Sequence, residues 1–380
     1  MMDLPLQGIV VLEFSQYLSG PSAGLRLADL GARVIKIERP GTGDAGRKLA
    51  IKNLWVDDSS LLFHTINRNK ESFTANVKDE ADLEVLKKLI EKADVLIHNF
   101  RPGVMKKAGL DYEVVKKINP RLIYAEISGY GKEGPWKNKP GQDLLLQSMT
   151  GLTYTTGNGN NGPVPFGIAI ADILSGAQLV QGVLAALIRR QKKNIGALIE
   201  VSLMESLLDF QFELLTTYYA SEIQPQRSYQ YNGHPLLSAP YGIYKTGDGY
   251  IALAMMDIHE LGNSIGCKGL AVFSKKETFV KRDEIKTVLG EYLSQQTTAY
   301  WLNRLQRDGL WAIEVFDWED MMNHEAYKTL NMEQIIAIAE KKIVTSRCPI
   351  RINGERLYSN QPAPQLGEHN ETIMKEFVNN

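Results

Sequence analysis

Cysteine is almost missing: Cys267 and Cys348 are the only two among 380 residues. Two thiols cannot form a disulfide framework, and these two lack metal-ligand spacing. The chain therefore reads as a reduced, cytoplasmic protein. An excess of charge of one sign is missing as well. With 43 Lys+Arg against 44 Asp+Glu the net charge is −1, which removes the electrostatic argument for a nucleic-acid partner, because phosphate binding needs a marked cationic excess. The six histidines (His64, His98, His234, His259, His324, His369) include no pair at i, i+3 or i, i+4. No metal site is expected from them. The opening MMDLPLQGIVVLEF has no basic leader followed by an apolar run and a small-residue cleavage site, so no signal peptide is expected. The one long apolar segment, Val164 to Ile188, carries Asp172, Ser175, Gln178 and Gln181 in its interior. Such groups are expensive in lipid, so the segment reads as a buried core element and no membrane partner is expected.

What is present has the size and mix of a multidomain globular protein. Hydrophobic residues at 44% and charged residues at 23% are ordinary for a globular chain, and the length suggests two or three domains. GIVVLEF (Gly8–Phe14) is a β-rich run, AGLRLADLGA has helical apolar spacing closed by Gly31, and ARVIKIE (Ala32–Glu38) is the next strand. EADLEVLKKLIEKA, DVLIHN, YEVVKKIN and RLIYAEIS repeat the alternation. This rhythm predicts an α/β fold with a doubly wound, mostly parallel sheet. A Gly/Asn-rich loop, TTGNGNNGPVP, leads into a long apolar helix, and a further helix is expected to run through Phe212. YGIYKTGDGYIALAM (Tyr241–Met255) predicts a hairpin around Gly-Asp-Gly, and the stretch from about 275 to 340 reads helical and charged. These features place a smaller α+β domain at 225–340, beside a large domain at 1–224 completed by 341–380.

Two glycine patterns invite functional readings that their positions argue against. Gly41, Gly43 and Gly46 have the GxGxxG spacing of a dinucleotide site, but they follow the second strand, come after Pro40 and lead into a poor helix. A dinucleotide fingerprint belongs after the first strand, opening a helix; a loop leaving a strand is the better reading. GNSIG (Gly262–Gly266) satisfies G-x-S-x-G, yet a nucleophile elbow needs a strand before its serine, and MMDIHEL reads as helix.

The most informative residue is Asp172. From Gly162 to Ile188 it is the only charged side chain. A buried carboxylate without partners costs several kcal/mol or becomes neutral. Asp172 therefore either caps its helix through backbone N–H groups or is an ionised carboxylate held for nucleophilic work. The two roles are compatible, and the residues alone leave both open.

The motif set resembles the class III CoA-transferases, the family that includes formyl-CoA and carnitine CoA-transferases. LQGIVVLEFSQYLSGP, LADLGARVIKIERPGTGD, ADVLIHNFRPG, INPRLIYAEISGYG, IADILSGAQLVQGVLAAL, IEVSLMES and QLGEHNE carry the likeness from end to end. The resemblance implies a Rossmann-like CoA-binding large domain, a small inserted domain and an interlocked homodimer. It implies acyl-CoA and a carboxylic acid as substrates, with no tightly bound cofactor. Asp172 falls where the family's nucleophilic aspartate sits, which attacks the thioester to give an anhydride and then an aspartyl-CoA thioester. By the same resemblance Arg39, Ala75, Lys78, Asn99, Phe100, Arg101 and Lys107 match CoA-contacting positions, and Gln142 and Asp143 lie on the substrate side. The related 2-methylacyl-CoA racemases have histidine at the position of Gln142. An amide does not titrate usefully, so transfer is favoured over racemisation. RSYQYNGHPLLS (Arg227–Ser238), where formyl-CoA transferases have a glycine-rich shielding loop, has one glycine, and Leu18 replaces a glutamine of that branch. The formate and oxalate pair is therefore not assigned. A non-catalytic CoA-binding protein is the rival from another class, and the cost of Asp172 argues against it.

Overall fold

The computed structural model describes residues 4–338, 340–359 and 361–379. Six runs, all but the third containing Val or Ile, form β1 (Val10–Glu13), β2 (Arg33–Glu38), β3 (Glu71–Thr74), β4 (Val95–His98), β5 (Ile123–Ser128) and β6 (Ala197–Ser202). They pair in parallel in the order β3-β2-β1-β4-β5-β6. That is the strand order of a doubly wound Rossmann sheet, whose direction of winding reverses between β1 and β4. The strands have no alternating pattern because both faces are covered: all four residues of β4 are buried.

One face is covered by α1 (Ser19–Asp29), which precedes β2. Gly31 follows that helix at φ +104°, a conformation L side chains rarely adopt. The opposite face is covered by α2 (Glu80–Lys92) and α3 (Tyr112–Ile118), with Leu86, Leu89, Ile90 and Val115 packed on Leu12, Ile35 and Leu96. The C-terminal Ile373 and Phe377 complete that core. The short helix α4 (Asp143–Met149) follows β5, and α5 (Ile170–Lys193) is the long apolar helix. By length and composition α5 is the one helix among the described residues that could cross a membrane. Its stripe of Ala171, Ser175, Gly176, Leu179, Val180 and Val183 is buried within the unit that holds the sheet.

The chain clusters into two compact units, one of 1–146, 169–207 and 330–380 and the other of 147–168 and 208–329. The helix expected to run through Phe212 breaks at Gln211 into α6 (Leu203–Phe210) and α7 (Phe212–Ser221). In the second unit β7 (Gly242–Lys245) and β8 (Tyr250–Leu253) form the expected antiparallel hairpin. Helices α8 (Ile258–Ile265), α9 (Arg282–Leu293) and α10 (Thr298–Arg307) pack on it through Leu261, Ile285, Leu289 and Trp301. Ser264 of GNSIG lies in the last turn of α8, not on an elbow.

The all-helical expectation for 275–340 is corrected at two places. β9 (Ala312–Glu314) joins β8 antiparallel. β10 (Glu333–Ile338) pairs with β11 (Lys341–Ser346). Burial in β10 alternates residue by residue, the period of a strand with one covered face, and Ile336, Ile338 and Ile343 pack on Val56.

Candidate active site

The reversal in strand order puts the ends of β1 and β4 beside one another, where open α/β sheets leave a ligand crevice. The chain leaves β1 through Ser15–Leu18 and enters α1 at Ser19; it leaves β4 through Asn99. The Asn99 side chain closes this crevice from within. Its Oδ1 accepts the Gln16 N–H at 2.8 Å, while Nδ2 donates to Gln16 O at 2.7 Å and to Ser19 Oγ at 3.1 Å. Gly20 sits so close to Ser15 that a Cβ would lie 2.2 Å from the Ser15 Cβ.

Helix α5 reaches this edge because α1 lets it. A Cβ on Gly176 would lie 2.7 Å from Ser19 O and 2.4 Å from Ser22 Oγ, so glycine is needed for the two helices to cross at this distance. The crossing sets Asp172, in the first turn of α5, beside the start of α1.

Asp172 does not cap its helix. That role falls to Asp143, whose buried Oδ2 accepts the N–H of Ala171 at 2.6 Å and of Asp172 at 3.3 Å. An acceptor from a different helix thus satisfies N–H groups that Ala169, at the N-cap position, cannot. Asp143 is put there by a second glycine contact. Gly129, just past β5, and Gly141 pass so closely that a Cβ on Gly141 would be 2.7 Å from Gly129 Cα.

The half-buried Asp172 carboxyl is pushed up to about 6, first by burial and then by the negative charge of Asp143, with the Ser19 hydroxyl acting in the opposite direction. The backbone N–H groups that would have lowered it are taken by Asp143. At neutral pH the group remains mainly ionised.

Behind the crevice lies a buried ionic network. Lys36 Nζ is 2.9 Å from Glu13 Oε1 and 2.8 Å from Asp44 Oδ2, Lys70 Nζ is 2.7 Å from Glu13 Oε2, and Arg47 grips Glu38 at 2.7 and 2.8 Å. Burial opposes the charge on Lys36, but Asp44 and Glu13 overcome it and hold the ammonium above its ordinary value. Burial brings Lys70 down to about 8 despite Glu13. Asp44 also accepts the N–H groups of Tyr17 at 3.1 Å and Gly46 at 2.8 Å, tying the ERPGTGD loop to the β1–α1 turn. In that loop a Cβ on Gly43 would meet Glu38 Oε2 and the Arg47 Cδ, both at 2.8 Å. The glycine spacing that imitates a dinucleotide fingerprint is therefore accounted for by a turn packed over an ion pair.

Among the residues singled out for CoA, Arg39, Ala75 and Asn99–Arg101 follow the C-terminal ends of β2, β3 and β4, on one edge of the sheet. Arg39, Lys78, Arg101 and Lys107 are exposed, and Ala75 is buried. Phe100 stacks on His98 with ring centroids 6.0 Å apart. Lys107 ends the short turn Val104–Lys107. Gln142 is exposed beside the buried Asp143. Ser19 and the capping use of Asp143 escaped the sequence reading; the small residues of SGPS after a strand are the only local sign of the former.

Comparison with known proteins decides the family. The model of CoA-transferase family III matches residues 6–370. This chain belongs to CoA-transferase family III. It is 34% identical to an acetyl-CoA:oxalate CoA-transferase of Acetobacter aceti, over 98% of this chain and 96% of that one. It is 30% identical to the succinyl-CoA:glutarate CoA-transferase of Homo sapiens, over 98% and 86% respectively. Among solved structures, a CAIB/BAIF family protein from Brucella suis superposes with a TM-score of 0.84 at 32% identity, covering 99% of this chain and 100% of that one. This family III enzyme is therefore a CoA-transferase that uses CoA thioesters, with the α/β fold and parallel sheet of its relatives.

Proposed function

We propose that the enzyme moves CoA from an acyl-CoA to a small carboxylic acid through covalent intermediates on Asp172. The observation that carries this reading is a carboxylate placed at the start of a long apolar helix and relieved of capping by Asp143. Structural duty alone does not account for that cost.

In the proposed reaction an oxygen of Asp172 attacks the thioester carbonyl, and the carbon–sulfur bond breaks to release CoA thiolate and leave an anhydride. The thiolate then attacks the aspartyl carbonyl carbon, and the donor's carboxylate departs. The acceptor carboxylate attacks the aspartyl-CoA thioester, and a second thiolate attack returns Asp172 and releases the new acyl-CoA. The sequence conserves thioester energy only where water is kept out. Arg39, Ala75, Lys78, Phe100, Arg101 and Lys107, with the Asn99 backbone, are assigned to CoA. Gln142 is assigned to orienting a substrate oxygen, since an amide cannot serve as the base a racemase needs. The names of the relatives support dicarboxylates as acceptors and acetyl- or succinyl-CoA as donors. A large CoA-binding domain, a small inserted domain and a cytoplasmic homodimer complete the proposal. The aromatic residues exposed on α7, Phe212 at 63% and Tyr219 at 73%, favour a partner surface there.

The test is mass spectrometry of the Asp172 peptide after incubation with acetyl-CoA or succinyl-CoA. A CoA or acyl adduct absent from Asp172→Asn is the expected result. Deuterium uptake at the α-carbon of a branched acyl-CoA, with no adduct, would move the assignment to racemisation.

A further inference from the structure

We propose that His98 is a positioning residue for acyl-CoA binding: anchored on Glu126, it holds the Asn99–Arg101 turn and the Phe100 ring in place for CoA. The proposal rests on the reading of residues 99–101 as CoA contacts and adds the group that fixes them.

The strand register gathers polar residues where a parallel sheet covered on both faces is ordinarily apolar. His98, the last residue of β4, lies abreast of Glu126 on β5, and Glu126 lies abreast of Glu200 on β6. Residues abreast on parallel strands share a face of the sheet. His98 is 5% exposed and Glu126 9%, and polar groups at that depth cost free energy unless they are partnered. Lys132, from the segment after β5, answers both carboxylates, at 2.9 Å from Glu126 Oε1 and 2.8 Å from Glu200 Oε1. Burial opposes the charge on Glu126, but His98 and Lys132 overcome it and hold the carboxyl below its ordinary value.

The imidazole divides its two nitrogens between this row and the turn. Nδ1 accepts the Phe100 N–H at 3.4 Å, so the proton of the neutral ring sits on Nε2. Among the described residues Nε2 has no aligned hydrogen-bond partner; it lies 3.4 Å from Glu126 Oε2. Two aromatic rings fix the imidazole further. Tyr124 meets it edge-on with centroids 5.3 Å apart, and Phe100 stacks on it at 6.0 Å and 21°. Tyr124 is itself buried, with its hydroxyl donating to Leu110 O at 3.0 Å. Asn99 is pinned independently by Gln16 and Ser19. Two successive side chains of HNFR thus tie down the end of β4, and the half-buried Phe100 and exposed Arg101 are what the turn offers at the crevice. Freedom removed before the ligand arrives is freedom that binding need not remove.

The probe is free CoA, titrated calorimetrically into the full-length enzyme. Phe100→Ala and Arg101→Ala come first: wild-type affinity in both would overturn the assignment of this turn to CoA, and the proposal with it. Given weaker binding there, His98→Ala is expected to raise Kd for CoA about five- to twentyfold. With saturating acetyl-CoA or succinyl-CoA as donor, kcat is expected to stay within about twofold. His98→Asn, whose Oδ1 can still accept the Phe100 N–H as in an Asx turn, should recover part of the loss. Glu126→Gln is expected to raise Kd about two- to fivefold and to add little in the His98→Ala background, as members of one network behave. Should the alanine variant not fold, His98→Asn and Glu126→Gln carry the test. A folded His98 variant with wild-type Kd, or one changed in kcat alone, overturns the proposal, and so does a lowered melting temperature with Kd unmoved, the mark of a purely structural residue.

Discussion

Two aspartates meet at the start of α5: Asp143 caps the helix, and Asp172 stands free of that duty. Burial and Asp143 raise Asp172 to about 6, so the folded protein keeps a proton there that the unfolded chain releases near about pH 4. The native state binds more protons across that window. Stability therefore falls as pH rises through it, and the cost is complete above about pH 6. Asp172→Asn should abolish transfer and raise the melting temperature by about 2 °C at neutral pH. Calorimetry at about pH 4 should show the gain gone. Activity should fall on the acid side with an apparent value near 6. Asp143→Asn removes a negative charge while keeping an acceptor for the helix N–H groups, so its acid limb should move to lower pH. Asp143→Ala loses the cap too and should cost about 1 kcal/mol in denaturant unfolding.

Two close contacts position these side chains at the level of elements. Gly176 admits α5 against α1, and Gly129 with Gly141 admits the segment leading into α4, whose first residue is Asp143. Gly176→Val should force the helices apart, lowering stability by about 1–3 kcal/mol and slowing adduct formation at Asp172. Unfolding curves and single-turnover rates check the two effects together; unchanged rates would mean that the crossing does not set the position of Asp172. The buried ions behind β1 and β2 are a second device. Lys36 and Glu13 are fully buried, and removing one partner leaves charge without compensation. Lys36→Met should therefore destabilise the protein by about 3–5 kcal/mol, read from the urea midpoint.

For the whole molecule, the balanced charge of −1 offers no long-range field to hold copies apart, and α7 exposes Phe212 and Tyr219. Light scattering should give twice the chain mass of 42.5 kDa. Phe212→Asp combined with Tyr219→Asp should reduce the yield of that species, and a wild-type mass of one chain would remove the homodimer from the proposal.

Elements built from local pattern were legible in the sequence. The β-rich runs and helical periodicities gave the alternation of the parallel sheet, Gly-Asp-Gly gave the β7–β8 hairpin, and isolation in an apolar segment singled out Asp172. The short strand β9 and the amphipathic β10 were hidden among charged helices, where a few residues cannot settle a period. The helix break at Gln211 carries neither glycine nor proline. What depends on approach between distant segments was decided by tertiary structure alone. Asn99 meets Gln16 across 83 positions, Asp143 caps residues 28 and 29 positions away, and Gly176 fits against Ser19 only once α1 and α5 share a face of the sheet. Sequence by itself determined which carboxylate stood alone in an apolar segment; its acidity arises from burial and a neighbouring charge, and these exist only after the chain has folded.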